Sequence, residues 1–182
     1  MNRKGFTLIE LLAVIVILGI ILTFAVPSIT NIYKESKLKT EGMFLNELSK
    51  SIDSYVTLNS DKIAFNEKKT ATKTENNQSL SVTVYEGKIS IKDLIDDKII
   101  EEKDYINPGN RNKICSKDAT VEVYRDSDFV YCFKMPPMDC LTKDFIDFLL
   151  EEKQKEKQKE NPEEVIKKDE KLDYAIDTCI WK

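Results

Sequence analysis

The chain has 182 residues, a formal net charge of −4 and no histidine. Without imidazole the commonest general base and transition-metal ligand is missing, so Ser-His and Cys-His nucleophile pairs are excluded. An acidic balance offers no general attraction to nucleic acid, and 41% hydrophobic with 33% charged residues is the composition of a folded chain.

The apolar residues are concentrated at the start. From Phe6 to Val26 the chain reads FTLIELLAVIVILGIILTFAV, with Glu10 as its only charge. A helix of that length spans roughly 30 Å, the thickness of a bilayer's hydrocarbon core. Arg3 and Lys4 precede it and no basic cluster follows at once, which sets the N-terminus in the cytoplasm and the remainder outside. A cleaved secretory signal ending near Thr23-Phe24-Ala25 and a plain signal anchor both fit this pattern. Neither explains Glu10, since a carboxylate inside an apolar run is costly and gains nothing in an ordinary signal or anchor.

Beyond Ser28 the pattern becomes amphipathic. Ile29, Ile32, Tyr33, Phe44, Leu45, Leu48, Ile52, Tyr55 and Val56 recur mostly three and four apart. Lys34, Lys37, Lys39, Glu41, Glu47, Lys50 and Asp53 are assigned to the opposite face. One helix to about Leu58 is expected, roughly 80 Å long. Gly19 lowers its helix propensity, Pro27 is expected to kink or loosen a turn, and a break near Gly42 stays open.

Asn59–Ser79 is polar and reads as a surface loop. Ser81–Tyr85 alternates and predicts a strand, Ile91–Ile100 has helical spacing, and Tyr105–Asn110 is a turn built on Asn-Pro-Gly. Thr120–Tyr124 and Phe129–Met135, separated by Arg125–Asp128, predict a β-hairpin. Thr142 is a cap for a helix through Leu150, with a solvated helical extension or flexible arm over Glu151–Glu160. Asn161-Pro162-Glu163-Glu164 signals a helix restart, and Tyr174–Trp181 an apolar C-terminal piece docked on the head.

Cys115, Cys132, Cys140 and Cys179 all fall on the outer side, where four cysteines imply two disulfides. The hairpin aims Cys115 at the Met138–Cys140 end, favouring Cys115–Cys140 with Cys132–Cys179. The sequential pairing, Cys115–Cys132 with Cys140–Cys179, stays open. No CxxC pair, Gly-rich phosphate loop or metal-ligand cluster is visible, so no metal, cofactor, catalytic residue or enzymatic activity is expected.

Gly5-Phe6-Thr7-Leu8-Ile9-Glu10-Leu11-Leu12, preceded by Arg3 and Lys4 and continuing to Ala25-Val26-Pro27-Ser28, resembles the processing motif of type IV prepilins and pseudopilins. The short helix followed by an Asn-Pro turn is also similar to an element of pilins from Gram-positive bacteria. The family resemblance implies that a prepilin peptidase cuts after Gly5 and methylates the new amine on Phe6. It also implies that the Gly19–Pro27 region can unwind in a filament. Glu10 then acquires a role: a carboxylate one turn from a positive amine neutralises it in an apolar setting, its own or a neighbour's, and so sets subunit register.

The expected fold is α+β, a type IV pilin fold with a long N-terminal helix on a small antiparallel sheet and a disulfide-secured C-terminus. The expected divisions are a leader over 1–5, an apolar transmembrane and filament-core half over 6–27, an amphipathic half over 28–58, and a head over 59–182. The implied function is structural: a pilus subunit serving adhesion, twitching motility or biofilm formation, with the charged insertion 151–171 pointing to a minor or specialised subunit. Its implied partners are other pilin subunits, the prepilin peptidase, the pilus assembly platform and, before assembly, membrane lipids, with no specific nucleic acid. It moves from the cytoplasmic membrane, head outside, to an extracellular pilus. The competing readings are a pseudopilin of a type II secretion or DNA-uptake apparatus, and a membrane-anchored surface adhesin that never polymerises.

Overall fold

The computed structural model describes residues 7–75, 78–110, 113–160 and 172–180. Arg3, Lys4, Gly5 and Phe6, the helix restart at 161–164 and Trp181 lie outside the described residues. Helix α1 (Leu8–Leu58) is continuous through Gly19, Pro27 and Gly42. The molecule divides into two compact units at residue 39/40, inside this helix.

In the first unit every large apolar residue from Leu8 to Val26 is exposed, and so are Ile29, Ile32 and Tyr33. The last three were expected to continue the buried stripe of the amphipathic half. The buried stripe instead begins at Glu41, at the start of the second unit. Phe44, Leu45, Leu48, Ile52, Tyr55 and Val56 are then buried at helical spacing.

The second unit is α+β, its helix packed on an antiparallel meander in the order β1-β2-β3-β4-β5. The strands are β1 (Glu67–Glu75), β2 (Gln78–Ser90), β3 (Thr120–Asp126), β4 (Tyr131–Met135) and β5 (Ile176–Asp177). Alternation sends Ile89, Val121, Val123, Phe133 and Met135 into the main core. On the other face Ala71, Val84 and Cys132 form a smaller cluster with Val82, Tyr124 and Cys179. Gly87 has no room for a side chain, since a Cβ there would lie 2.6 Å from Ile63 Cγ2.

Strand β1 corrects the expected loop over 59–79. Its sequence, EKKTATKTE, has no apolar alternation because it is an edge strand with polar residues on both faces. Threonine favours extended backbone, and charged side chains on an edge discourage pairing with other chains. Helix α2 (Ile91–Asp96) is also shorter than the expected 91–100. Ser90 and Asp93 form a reciprocal capping box at its start. At its end Lys98 adopts φ 58°, and the amides of Lys98 and Ile99 bond the carbonyls of Ile95 and Leu94, a Schellman ending that stops the helix.

Helix α3 (Lys143–Glu160) includes the charged stretch 151–160 as a helical extension. The C-terminal piece docks as expected: β5 pairs with β4 at Lys134↔Asp177 and Met135↔Ile176. The cysteines pair as Cys115–Cys140 and Cys132–Cys179, with Cα separations of 4.7 and 5.0 Å. The first bond ties Cys115 to the segment before α3. The second ties the C-terminal segment to β4.

Candidate processing and assembly site

The described N-terminus opens with a second capping box. The Thr7 amide and hydroxyl both donate to Glu10 Oε2, at 2.9 and 2.8 Å. The Glu10 amide returns a longer bond of 3.4 Å to Thr7 Oγ1. Thr-x-x-Glu before an apolar run is the local signal for this geometry. It was present in the sequence, but the sequence reading assigned no role to Thr7. The consequence is electrostatic as well as conformational. Glu10 enters the apolar segment with its carboxylate hydrogen-bonded and at a helix N-terminus, where negative charge is favoured.

Among the described residues, α1 is the one helix long and apolar enough to cross a membrane. None of its apolar window is buried. Removing one Leu or Ile side chain from water is worth about 1.5–3 kcal/mol, so a surface of this extent is stable only against lipid or other helices. Near its centre, a Cβ on Gly19 would meet nothing within 4 Å. Packing within the subunit therefore does not require glycine there. The Thr23 hydroxyl donates to the Gly19 carbonyl at 2.9 Å, which satisfies a polar group that lipid cannot.

Where the helix enters the head, the structure corrects the sequence reading of Glu41. Assigned to the solvated face, it is fully buried at 0% exposure. Its carboxylate accepts the Thr142 amide at 3.0 Å and the Thr142 hydroxyl at 2.6 Å, at the N-terminus of α3. Thr142 is thus the expected cap, itself held by a carboxylate from α1. Gly109 makes room for this contact, since a Cβ there would come within 2.4 Å of Glu41 Cγ. Beside it, buried Asn107 donates from Nδ2 to the Cys140 carbonyl at 3.0 Å. One charged side chain therefore joins α1, the 107–110 turn and α3. No spacing rule identifies Glu41, because its partners are about a hundred residues away.

Of the residues singled out from sequence, Glu10 and Gly19 lie on one exposed apolar helix. The four cysteines belong to the head, remote in sequence from the processing motif. Residues 1–26 match the family model described as the prokaryotic N-terminal methylation motif. No curated protein and no solved structure matches the chain. With the apolar helix and the disulfide-secured α+β head, the match supports a type IV pilin-like or pseudopilin precursor. The motif implies processing by a prepilin peptidase, membrane anchoring and assembly with other pilins.

Proposed function

We propose that this type IV pilin-like precursor is a structural subunit of a type IV pilus, cut after Gly5, methylated on Phe6 and drawn from the cytoplasmic membrane into an extracellular filament. It performs no catalysis of its own. The observation that carries the reading is the exposed apolar face of α1 from Leu8 to Val26, interrupted only by a carboxylate at Glu10. A plain anchor needs the apolar face but not the charge. A helix that leaves lipid to pack among identical helices needs both, because the charge answers a neighbour's amine and fixes the axial stagger.

The long charged stretch that begins at Glu151 is unusual for such a head, and it favours a minor subunit within the filament. The test is Glu10→Gln in the native cell. The expected outcome is an ordinary amount of membrane-inserted protein with at least a tenfold loss from sheared surface filaments. An unchanged filament fraction would sink the proposal and leave a membrane-anchored surface protein.

A further inference from the structure

The tip of the β3–β4 hairpin, remote in sequence from α1, lies beside a group of aromatic and charged side chains. The Arg125 guanidinium lies against three rings, 4.8 Å from the Phe65 centroid, 5.0 Å from Phe129 and 5.4 Å from Tyr85. Tyr131 extends the set, 6.0 Å from Phe65. Among the described residues no carboxylate or carbonyl takes an Arg125 N–H, and its Nε is buried without a partner. Phe129 is nevertheless 65% exposed. Its φ of 61° is held by the Asp126 carboxylate, which accepts the amides of Asp128 and Val130 at 2.9 and 2.8 Å. The ring is thus presented to solvent by a turn that is already fixed. Asp128 beside it is exposed and makes no side-chain bond among the described residues.

We propose that this tip, with the exposed Phe129 ring, the Arg125 guanidinium packed against it and the exposed Asp128 carboxylate, is a binding site for a neutral pyranose sugar of a glycan. The negative face of an aromatic ring attracts the weakly positive C–H face of a pyranose. Sugar hydroxyls donate and accept, so they suit a site with an exposed carboxylate beside a ring-packed guanidinium. Other ligands fit less well. An acidic ligand meets Asp126 and Asp128, and a basic one meets Arg125. An extended peptide finds no open edge, because Arg125 stands on β3, which pairs with β2 on one side and β4 on the other. A fixed turn spares the ligand the cost of ordering its receptor. The site is independent of how the chain is anchored, so it stands or falls apart from the filament reading.

The test uses the full chain in detergent micelles, on a microarray of neutral pyranose oligosaccharides with uronate oligosaccharides and acidic peptides alongside. The expected result is binding to neutral oligosaccharides, confirmed by saturation transfer to the sugar ring protons. Phe129→Gly should weaken it at least tenfold without lowering the unfolding temperature, since glycine adopts this backbone freely. Asp128→Ala, which removes no internal bond, should weaken it at least threefold. Absence of neutral-sugar binding, binding confined to uronates or peptides, or full affinity in both variants would overturn the proposal.

Discussion

The two units of the chain use the same helix in opposite ways. From Leu8 to Tyr33, α1 shows its apolar residues to its surroundings and buries none of the large ones. From Glu41 to Val56 it buries an apolar stripe and even a carboxylate. The contrast teaches that hydrophobicity has two meanings in one element. In the first region it is a demand for a partner outside the subunit, and in the second it is satisfied within it. Changes in the head should therefore alter stability without altering membrane insertion. Changes near Glu10 should alter assembly without altering the head.

The largest expected effect on the head is loss of the Cys132–Cys179 bond, which closes a separation of 47 residues. Replacing both cysteines with serine should cost about 4 kcal/mol by chain entropy. Chemical denaturation of the purified protein measures it, and membrane fractionation should show unchanged insertion. Insertion that fails with the disulfide would break the division between the units.

At the junction, Glu41→Gln keeps the shape but removes the charge facing the α3 terminus and weakens its bonds to Thr142. The expected loss is about 1–2 kcal/mol. Gly109→Ala, forced against the same side chain, should cost about 1–3 kcal/mol through overpacking. Because the two changes share one contact, a double-mutant cycle should be clearly non-additive. Additive losses would mean that Glu41 and Gly109 do not act on each other.

A pH dependence sharpens the comparison further, since it arises in the head. Burial first, then the neighbouring Asp97 and Asp93, pushes the Tyr55 hydroxyl up to about 12. Burial also raises Tyr105 and Tyr124 above the usual phenol range. An unfolded tyrosine titrates near about pH 10. The folded state thus holds these protons more tightly, and the stability is complete below that value. It is lost as pH rises through the folded values, towards about 12 for Tyr55. Tyr55→Phe should make the fall in unfolding temperature shallower over that window. An identical alkaline profile would remove Tyr55 as a contributor.

The smallest effect is a gain. Lys98 occupies a left-handed conformation at the end of α2. Glycine there relieves about 1–2 kcal/mol of steric cost and returns part of it as unfolded-chain entropy, leaving about 0.5 kcal/mol of stabilisation. Differential scanning calorimetry of Lys98→Gly checks its sign.

What was legible in the sequence follows the same division. The processing motif, the apolar helix and Glu10 are local features, readable because charge and hydropathy act through adjacent residues. The β3–β4 hairpin and the α3 cap were readable for the same reason. Strand β1 was hidden because an edge strand with polar faces has the composition of a loop. Glu41 was hidden because its burial depends on Thr142 and Gly109, which only the folded head brings to it. The cysteine pairing lay between these cases, since hairpin geometry favoured Cys115–Cys140 with Cys132–Cys179 without excluding the sequential alternative. Arg125–Asp128 reads as a turn in sequence, and the rings around Arg125 are invisible there because Phe65 and Tyr85 meet it only in space.

The measurement that comes first is mass spectrometry of the N-terminal peptide of the protein purified from its native cells. Prepilin processing predicts a chain that begins at Phe6 and carries one added methyl group. A chain that keeps Met1, or one that begins near Val26, would contradict it and return the apolar helix to an ordinary anchor or a discarded signal.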